Sequence, residues 1–319
     1  MRTRAIAVFA AILASACGTS TSLSGASGTA AVSPGSSESA AALIEEVLFS
    51  GPPPAAVAPR EVVEAFPVGE VDWSGNSVRA TGTGVLDPGN PNTAQARLMA
   101  ERAAVVVAQR NLLETVEGVR VDSETRVENF MTDYDVIHTR VQGVVRNARQ
   151  VGQARYDAEA GTVEVELEMD IYSPTGLSGA LGAALADSRA SQEPLSPQVR
   201  DFLSQYSGLV IDGGATGLTP SMFPRIFDEH GNLLLDTSLY ASYLGSGADA
   251  GLRFISDLQG ILDQSGLSGS PLVLSAIDAL GEYGSDIVIS VADAGGGNIL
   301  KQALPYLLRA GRFLMRVIL

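Results

Sequence analysis

The chain has 319 residues, 45% of them hydrophobic, and a formal net charge of −15. This length is sufficient for two domains with their own cores, and the composition argues against wholesale disorder and against a membrane-spanning bundle. Lys301 is the only lysine. Binding to phosphate backbones requires clustered basic side chains, so we expect no nucleic-acid partner.

The N-terminus has the layout of a secretory signal peptide. Residues 1–16 have a basic start, a short apolar run and small residues before Cys17, the single cysteine. The apolar run is too short to span a bilayer, and one cysteine excludes an intrachain disulfide or a thiolate zinc cluster. The segment LASAC at residues 13–17 resembles the lipobox of bacterial lipoproteins.

This lipobox resemblance implies that Cys17 carries the lipid and becomes the mature N-terminus, so that residues 1–17 form the signal peptide and lipobox and membrane lipid is one partner. The alternative is cleavage by ordinary signal peptidase, which leaves a secreted protein with a free thiol. Gly18 after the cysteine resembles the residue that sends such proteins to the outer membrane, where we expect the chain to face the periplasm.

Residues 18–65 are predicted to be a flexible tether, because they are rich in Ser, Gly, Thr and Ala at their start and carry a run of prolines at residues 52–54. A first folded domain is predicted at residues 66–173. It begins with a hairpin over residues 71–85 that turns at residues 74–76. Gly82 and Gly84 in its second arm indicate that another backbone approaches closely.

One long helix is predicted at residues 92–118. Asn92 is suited to the N-cap, Gln95 to the return bond of a capping box, and Gly118 to the left-handed position that ends the helix. Residues 103–108 are apolar on every side of this helix. A helix of that kind is normally covered on more than one side, and we expect a sheet on one side and a second copy of the protein on the other.

The candidate interaction residues on this helix are Met99, Ala103, Val106, Val107, Arg110 and Leu113. A Val106→Asp change is expected to cost several kcal/mol whether Val106 meets the core or a neighbouring molecule, because a charge would replace a buried apolar group.

The rest of this domain is predicted to be mainly strands. Residues 119–127 have period-two valines, residues 131–137 read as a loop or a single helical turn, and residues 140–151 read as a strand with a bulge at Gly143. Residues 162–172 alternate without exception, with their acidic side chains on a solvated outer face. The predicted fold class is therefore α+β, a strand-helix-strand-strand domain in which one long helix crosses an antiparallel sheet.

Three segments together resemble a known family: ATGTG at residues 80–84, AERAAVVVAQRNLLETVEGVRV at residues 100–121, and VEVELEMDIY at residues 163–172. They resemble the lipoprotein-20 superfamily, which includes FlgP-like outer-membrane lipoproteins. The resemblance covers residues 71–172 and implies a non-enzymatic envelope lipoprotein that forms part of a ring or disk. Val107 departs from the pattern, because FlgP-like sequences often have an acidic residue there.

A linker at residues 174–197, weakly helical at most over residues 177–186, and a second small α+β domain at residues 198–319 are predicted to follow. In this part we expect helices at residues 198–206, 250–264 and 293–308, and strands at residues 209–211, 225–227, 233–235, 271–280, 287–290 and 312–319.

The sequence offers little for catalysis. The DEHGN segment at residues 228–232 places two carboxylates beside His230, but Asp, Asn and Gly are what a tight turn needs for its own backbone hydrogen bonds. His138 has no partner nucleophile, and Asp286 is read as a helix cap rather than an ion ligand. We therefore predict no catalytic residues, no metal and no cofactor. A hydrolase with its site between the domains, using His230 or His138, is the enzymatic alternative.

These features favour a non-enzymatic, lipid-anchored outer-membrane protein with a structural or assembly role, for which the resemblance implies a ring or disk component of an envelope machine such as the flagellar basal body. Its expected partner is a second copy or another envelope protein. The alternative is a regulatory or binding lipoprotein that contacts a peptidoglycan synthase or a secretion pore.

Overall fold

The computed structural model describes most of the chain beyond residue 60, and all of these residues belong to one compact unit, Val57–Leu319. The described residues are 61–90, 92–185, 195–214, 216–244, 252–256, 270–292, 296–309 and 313–316. The predicted signal peptide, Cys17 and most of the predicted tether lie outside them.

The fold is mixed α+β with two sheets, which confirms the predicted fold class. The first sheet is antiparallel in the order β1-β2-β3-β6-β4, and β5 also pairs with β6. Its elements, with the helices between them, are β1 (Val63–Phe66), β2 (Gly69–Asp72), β3 (Ser77–Val85), α1 (Thr93–Glu117), α2 (Val127–Asp133), α3 (Asp135–Arg146), β4 (Arg149–Gln150), β5 (Arg155–Asp157) and β6 (Thr162–Asp170).

The predicted hairpin is formed by β2 and β3. The Asp72 carboxylate accepts a hydrogen bond from the Gly75 N–H at 2.6 Å, and Asn76 adopts a positive φ of 62°, which asparagine tolerates better than most residues. β3 then pairs with β6 along its whole length. The predicted alternation of β6 is confirmed on its inner face, where Val163, Val165, Leu167 and Met169 are buried.

The outer face of β6 is less solvated than predicted. Glu168 is only 8% exposed, and its carboxylate is 2.8 Å from Arg149 Nη2 and 3.4 Å from Arg79 Nε. Glu164 is paired with Arg155 on the neighbouring strand. The arginines of adjacent strands therefore neutralise part of the acidic row, which alternation within one strand does not reveal.

α1 lies across β3 and β6 and confirms the predicted long helix. It buries a stripe with a four-residue spacing, formed by Ala96, Ala100, Ala104, Ala108 and Leu112. The predicted close approach at the two glycines is also confirmed. A methyl group added at Gly84 would overlap the Ala100 carbonyl, and one added at Gly82 would overlap the Ala104 carbonyl.

Two predicted strands after α1 are wrong. In place of a strand at 119–127, the chain makes a turn in which the Asp122 carboxylate accepts hydrogen bonds from the N–H groups of Glu124 and Thr125, and a single bridge joins Arg120 to Arg126. Val119 and Val121 are buried without forming a ladder. The competing local bonds of an aspartate at a turn explain the difference.

Over most of the strand predicted at 140–151 the chain forms α3, and only Arg149–Gln150 is a strand, β4. The buried residues of α3, Ile137, Val141 and Val145, recur every four residues, the spacing of one helix face. No bulge exists at Gly143, which lies within the helix. Residues 131–137 are also mainly helical, since α2 ends at Asp133 and α3 begins at Asp135.

The second sheet has seven strands in the order β10-β13-β7-β11-β12-β8-β9, and all its pairs are parallel except β11–β12 and β8–β9. The elements of this part are α4 (Leu177–Leu185), α5 (Pro197–Gln205), β7 (Leu209–Asp212), β8 (Ile226–Asp228), β9 (Leu233–Leu235), α6 (Thr237–Leu244), β10 (Leu252–Ile255), β11 (Leu272–Leu280), β12 (Asp286–Ile289), α7 (Gly297–Arg309) and β13 (Phe313–Arg316).

Most of the elements predicted here are present, with three differences. The weak helix expected at 177–186 is present as α4, but it is packed rather than part of a linker, since Leu177 and Leu181 are buried. Helix α6 has no counterpart among the predicted elements. Strand β10 lies where the first part of a helix was predicted at 250–264, and residues 257–264 lie outside the described residues.

The two sheets are joined by backbone and side-chain contacts. Met222 and Phe223 donate backbone hydrogen bonds to the carbonyls of Arg120 and Val121, at 2.9 and 2.8 Å. The buried Tyr172 hydroxyl donates to the Met222 carbonyl at 3.0 Å, and burial raises its pKa above the ordinary tyrosine value. The division into domains at 66–173 and 198–319 remains a prediction.

Candidate functional site

The outer face of α1 carries a row of exposed apolar and arginine side chains. Leu98 is 61% exposed, Met99 57% and Val106 58%. We call this row the α1 strip; its members are the exposed residues between positions 98 and 110, namely Leu98, Met99, Arg102, Ala103, Val106, Val107 and Arg110.

Local chemistry fixes where this helix begins. The Asn92 side-chain oxygen accepts a hydrogen bond from the Gln95 N–H at 3.0 Å, as predicted for an N-cap. The predicted return bond from the Gln95 side chain is replaced by Asn90, whose side-chain oxygen accepts from the Asn92 N–H at 2.9 Å.

The helix was predicted to end with Gly118 in the left-handed conformation. Gly118 instead has a φ of −77° and a ψ of −12°, which lie in the right-handed helical region. A Cβ atom at this position would lie 2.6 Å from the Phe66 ring. Glycine is therefore needed here for space rather than for backbone conformation.

The sequence-predicted interaction residues are largely brought together on this face. Met99, Ala103, Val106, Val107 and Arg110 belong to the α1 strip, whereas Leu113 is half-buried and packs against the core. The sheet covers the opposite side of the helix, and among the described residues nothing covers the strip from Leu98 to Arg110. Of the two alternatives for Val106, this exposure excludes the core of its own chain, so a cost of several kcal/mol to the stability of the monomer is no longer expected; contact with a neighbouring molecule stays a prediction.

The strip is locally basic on an acidic protein. Arg102 and Arg110 are its charged members, and neither makes an ion pair or side-chain hydrogen bond within the part of the chain that the structure describes. At its N-terminal end, the Arg97 guanidinium lies 3.8 Å above the ring of Tyr156 on β5, a cation–π contact that ties the helix to the sheet.

The strip ends where α1 approaches α2 and α3. Gln109 Nε2 donates to the Arg146 carbonyl of α3 at 3.3 Å. At the next turns Glu117 is half-buried, and its pKa is raised by burial and by the charges of Glu128 and Glu114, with a smaller opposing effect from His138. The outer face of α1 is therefore exposed in its first half and partly covered in its last turns.

The DEHGN segment is a turn, as its composition predicts. One Asp228 oxygen accepts from the N–H groups of His230 and Asn232, at 2.9 and 2.8 Å, and the other accepts from the Asn232 amide at 2.9 Å. Burial raises the pKa of Asp228, but these hydrogen bonds outweigh it and bring the pKa below its ordinary value. The His230 side chain is exposed, and Glu229 accepts a bond from the Val291 N–H at 2.8 Å.

His138 is also exposed, and its Nε2 lies 3.1 Å from Nε2 of Gln142, one turn further along α3. The two histidines therefore do not line a shared cleft with a nucleophile. Within the described residues, no group of three or more His, Cys, Asp or Glu side chains is placed to hold a metal ion.

The interpretation of Asp286 as a helix cap is wrong. Asp286 begins strand β12, is 2% exposed, and accepts hydrogen bonds from Arg225 Nε at 2.8 Å and from the Ser123 hydroxyl at 2.7 Å. The hydrogen bond to Asp286 raises the pKa of the Arg225 guanidinium above its ordinary value. This network joins the two sheets, and residues 123, 225 and 286 are too far apart in sequence for local pattern to indicate it.

A groove of about 540 Å³ lies between α3, the end of β6 and the start of α4. Its volume is within the range of small-molecule sites. Arg140, Asp170 and Thr175 are among its polar lining residues, and the Arg149–Glu168 pair occupies one wall. Its described lining includes neither histidine nor cysteine.

A comparison with protein families matches residues 208–303 to the model described as the second domain of Treponema pallidum Tp0624. The matched segment runs from the first strand of the second sheet into α7. It does not overlap residues 71–172, which carry the lipoprotein-20 resemblance. A comparison with curated proteins finds none that matches the chain. Among the helices of the described residues, none is long and apolar enough to cross a membrane.

Proposed function

We propose that this chain is a non-enzymatic, lipid-anchored outer-membrane protein of structural or assembly type, which associates with further copies of itself through the α1 strip. The observation that supports this most directly is the exposure of Leu98, Met99 and Val106 on an otherwise well-packed helix. Grouped exposed apolar side chains on a soluble surface are typical of interaction sites.

Two further observations favour this function over an enzyme. The histidines are exposed and separate from the groove, and the candidate acid residues of the DEHGN turn are bound to their own backbone. The lipobox at Cys17 supplies the anchor, and the lipoprotein-20 resemblance of residues 71–172 is consistent with an assembly role.

The proposal is tested by Val106→Asp, with Val136→Asp as the matched control. Val136 is 62% exposed on α3, so both changes place the same charge on a similarly exposed helical valine. Each is expected to change the free energy of unfolding by no more than about 0.5 kcal/mol, because neither side chain is buried. Only Val106→Asp is expected to reduce association, measured by sedimentation velocity of the full chain in mild detergent.

A wild-type chain that stays monomeric at high concentration would contradict self-association. Site-specific crosslinking from position 106 in the envelope then decides whether another envelope protein, such as a peptidoglycan synthase or a secretion pore, occupies the strip. The anchor is tested separately by fractionating the envelope of cells with wild-type chain or Cys17→Ser, since the variant is expected to leave the outer-membrane fraction.

A further inference from the structure

A second row of exposed side chains lies on β11 of the second sheet. Val273 is 45% exposed, Ile277 54% and Leu280 43%, on a strand whose residues 272–275 pair with β7 and whose residues 276–280 pair with β12. We call this row the β11 strip; it consists of the exposed residues Val273, Ser275, Ile277, Asp278 and Leu280, together with Glu282 in the following turn.

An irregularity in the strand explains why this row changes from odd-numbered to even-numbered residues. The pairing of β11 with β12 shifts between Ala276 and Asp278, so Ile277 is an extra residue on its strand. Before the shift the odd-numbered residues Val273, Ser275 and Ile277 are exposed, and after it Asp278 and Leu280 are.

The charges of the β11 strip are opposite to those of the α1 strip. Its charged members are Asp278 and Glu282, and the sequence has no basic residue from position 272 to position 282. The α1 strip has Arg102 and Arg110 as its charged members. The two apolar rows therefore differ in sign of charge; one lies on the helix that covers the first sheet, and the other lies on the second sheet.

The spacing of the charges allows them to be opposed. At 1.5 Å per residue along a helix, Arg102 and Arg110 are about 12 Å apart. Asp278 and Glu282 are closer together than the roughly 13 Å that four residues of extended chain span, because Glu282 lies in the turn after β11. Both carboxylates therefore fit within the length of the α1 strip when the rows are laid side by side.

The alternative, in which two α1 strips pair about a two-fold axis, opposes like charges. Arg102 and Arg110 are each four residues from Val106. Two antiparallel helices crossing at Val106 would therefore bring Arg102 of each copy against Arg110 of the other, twice in one interface. Like charges at that separation are unfavourable.

We propose that the α1 strip of one copy docks on the β11 strip of the next. This inference rests on the proposed self-association and specifies its geometry. The contact uses two different surfaces, so a docked pair keeps one free β11 strip on the first copy and one free α1 strip on the second. A contact of this kind is head to tail, and it continues until it closes into a ring or extends into a filament.

The test uses two charge-reversed variants of the full chain in mild detergent. One is Arg102→Glu with Arg110→Glu, and the other is Asp278→Arg with Glu282→Arg. All four side chains are exposed, so both variants are expected to keep the melting temperature of the wild type. Association is measured by sedimentation velocity for the wild type, for each variant alone, and for an equimolar mixture of the variants.

Head-to-tail docking predicts that the wild type forms species larger than a dimer and that each variant alone associates at least tenfold more weakly. In the mixture, a basic strip again meets an acidic strip at every junction, so large species are expected to return. If the Asp278→Arg, Glu282→Arg variant associates like the wild type, the β11 strip is not used; this inference then fails, while self-association through α1 stands. If the wild type itself does not associate, the proposed function fails as well.

Discussion

The two faces of α1 differ in side-chain size, and the smaller side chains lie on the buried face. The face against the sheet consists mainly of alanines, with Ala100, Ala104 and Ala108 in consecutive turns, whereas the exposed face carries the larger Leu98, Met99 and Val106. Both faces are apolar over this length. Hydrophobicity therefore does not decide which side meets the sheet, and size does.

The reason for this difference lies in β3. Gly82 and Gly84 leave the strand without side chains at the two points where the helix crosses, and the helix backbone lies directly above them. Only small side chains fit between backbones this close. The larger apolar residues are excluded from the intramolecular contact, and this leaves them available for contacts with another molecule.

Gly84→Val is expected to have the largest effect on this arrangement. The new side chain would overlap the Ala100 carbonyl, which is backbone and cannot rotate away. Valine's preference for strands is worth at most about 1 kcal/mol, so the overlap outweighs it and the net change is a loss of stability. We expect the free energy of unfolding to fall by about 4 kcal/mol, measured by urea denaturation.

Thr83→Val is the matched control for this change. Thr83 is the neighbouring residue of β3, but its side chain is exposed on the other face of the sheet. Its replacement is expected to change the free energy of unfolding by no more than about 0.5 kcal/mol. Equal effects at the two positions would show that the helix does not approach β3 as closely as the structure places it.

Leu112→Ala and Leu98→Ala compare the two faces of α1 with one chemical change. Leu112 is fully buried, and its truncation is expected to cost about 3 kcal/mol through lost burial and a cavity. Leu98 is 61% exposed, and its truncation is expected to change the free energy of unfolding by no more than about 0.5 kcal/mol. Thermal and urea unfolding of both variants measure the difference.

A large loss of stability for Leu98→Ala would mean that its side chain is buried within the monomer in solution, contrary to the exposed strip. A loss that appears only at high protein concentration would instead indicate burial between copies, because association stabilises the folded state by mass action.

The parts of the fold where one signal dominates are predictable from the sequence. The ends of α1 are marked by Asn92 and Gly118, and β6 alternates strictly, so both elements were found near their true bounds. α3 was missed because Ile137, Val141 and Val145 belong to a stretch in which apolar residues also occur at strand spacing. Its helical period becomes clear only when the buried face is known.

The candidate site was predictable in its location but not in its orientation. The run of apolar residues at 103–108 indicates a helix with two apolar sides, but it does not say which side the sheet takes. That choice depends on Gly82 and Gly84, more than fifteen residues away on another element. The Asp286–Arg225–Ser123 network was missed for the same reason, since its members come from three separate segments.

The smallest expected effect concerns the end of α1, where its outer face is no longer exposed. The pKa of Glu117 in the folded protein is raised by burial and by the nearby charges of Glu128 and Glu114. A carboxyl whose pKa is raised on folding favours the folded state when protonated, and this contribution is lost as the pH rises through the folded pKa. At pH 7 the ionised Glu117 therefore opposes folding. Because solvent screens this half-buried position, we expect Glu117→Gln to raise the free energy of unfolding at pH 7 by only about 0.3 kcal/mol.

The advantage of Glu117→Gln over the wild type is expected to disappear as the pH is lowered below the ordinary glutamate pKa of 4.5, since Glu117 is then protonated in both the folded and unfolded states. Glu128→Gln should give part of the same gain, and the two changes should be less than additive because each relieves the same repulsion. Urea denaturation of the single and double variants at pH 7 and pH 4 measures both effects. A gain at pH 7 that persists unchanged at pH 4 would show that the charge of Glu117 is not its cause, and would assign the effect to the packing of this last turn against α2 and α3.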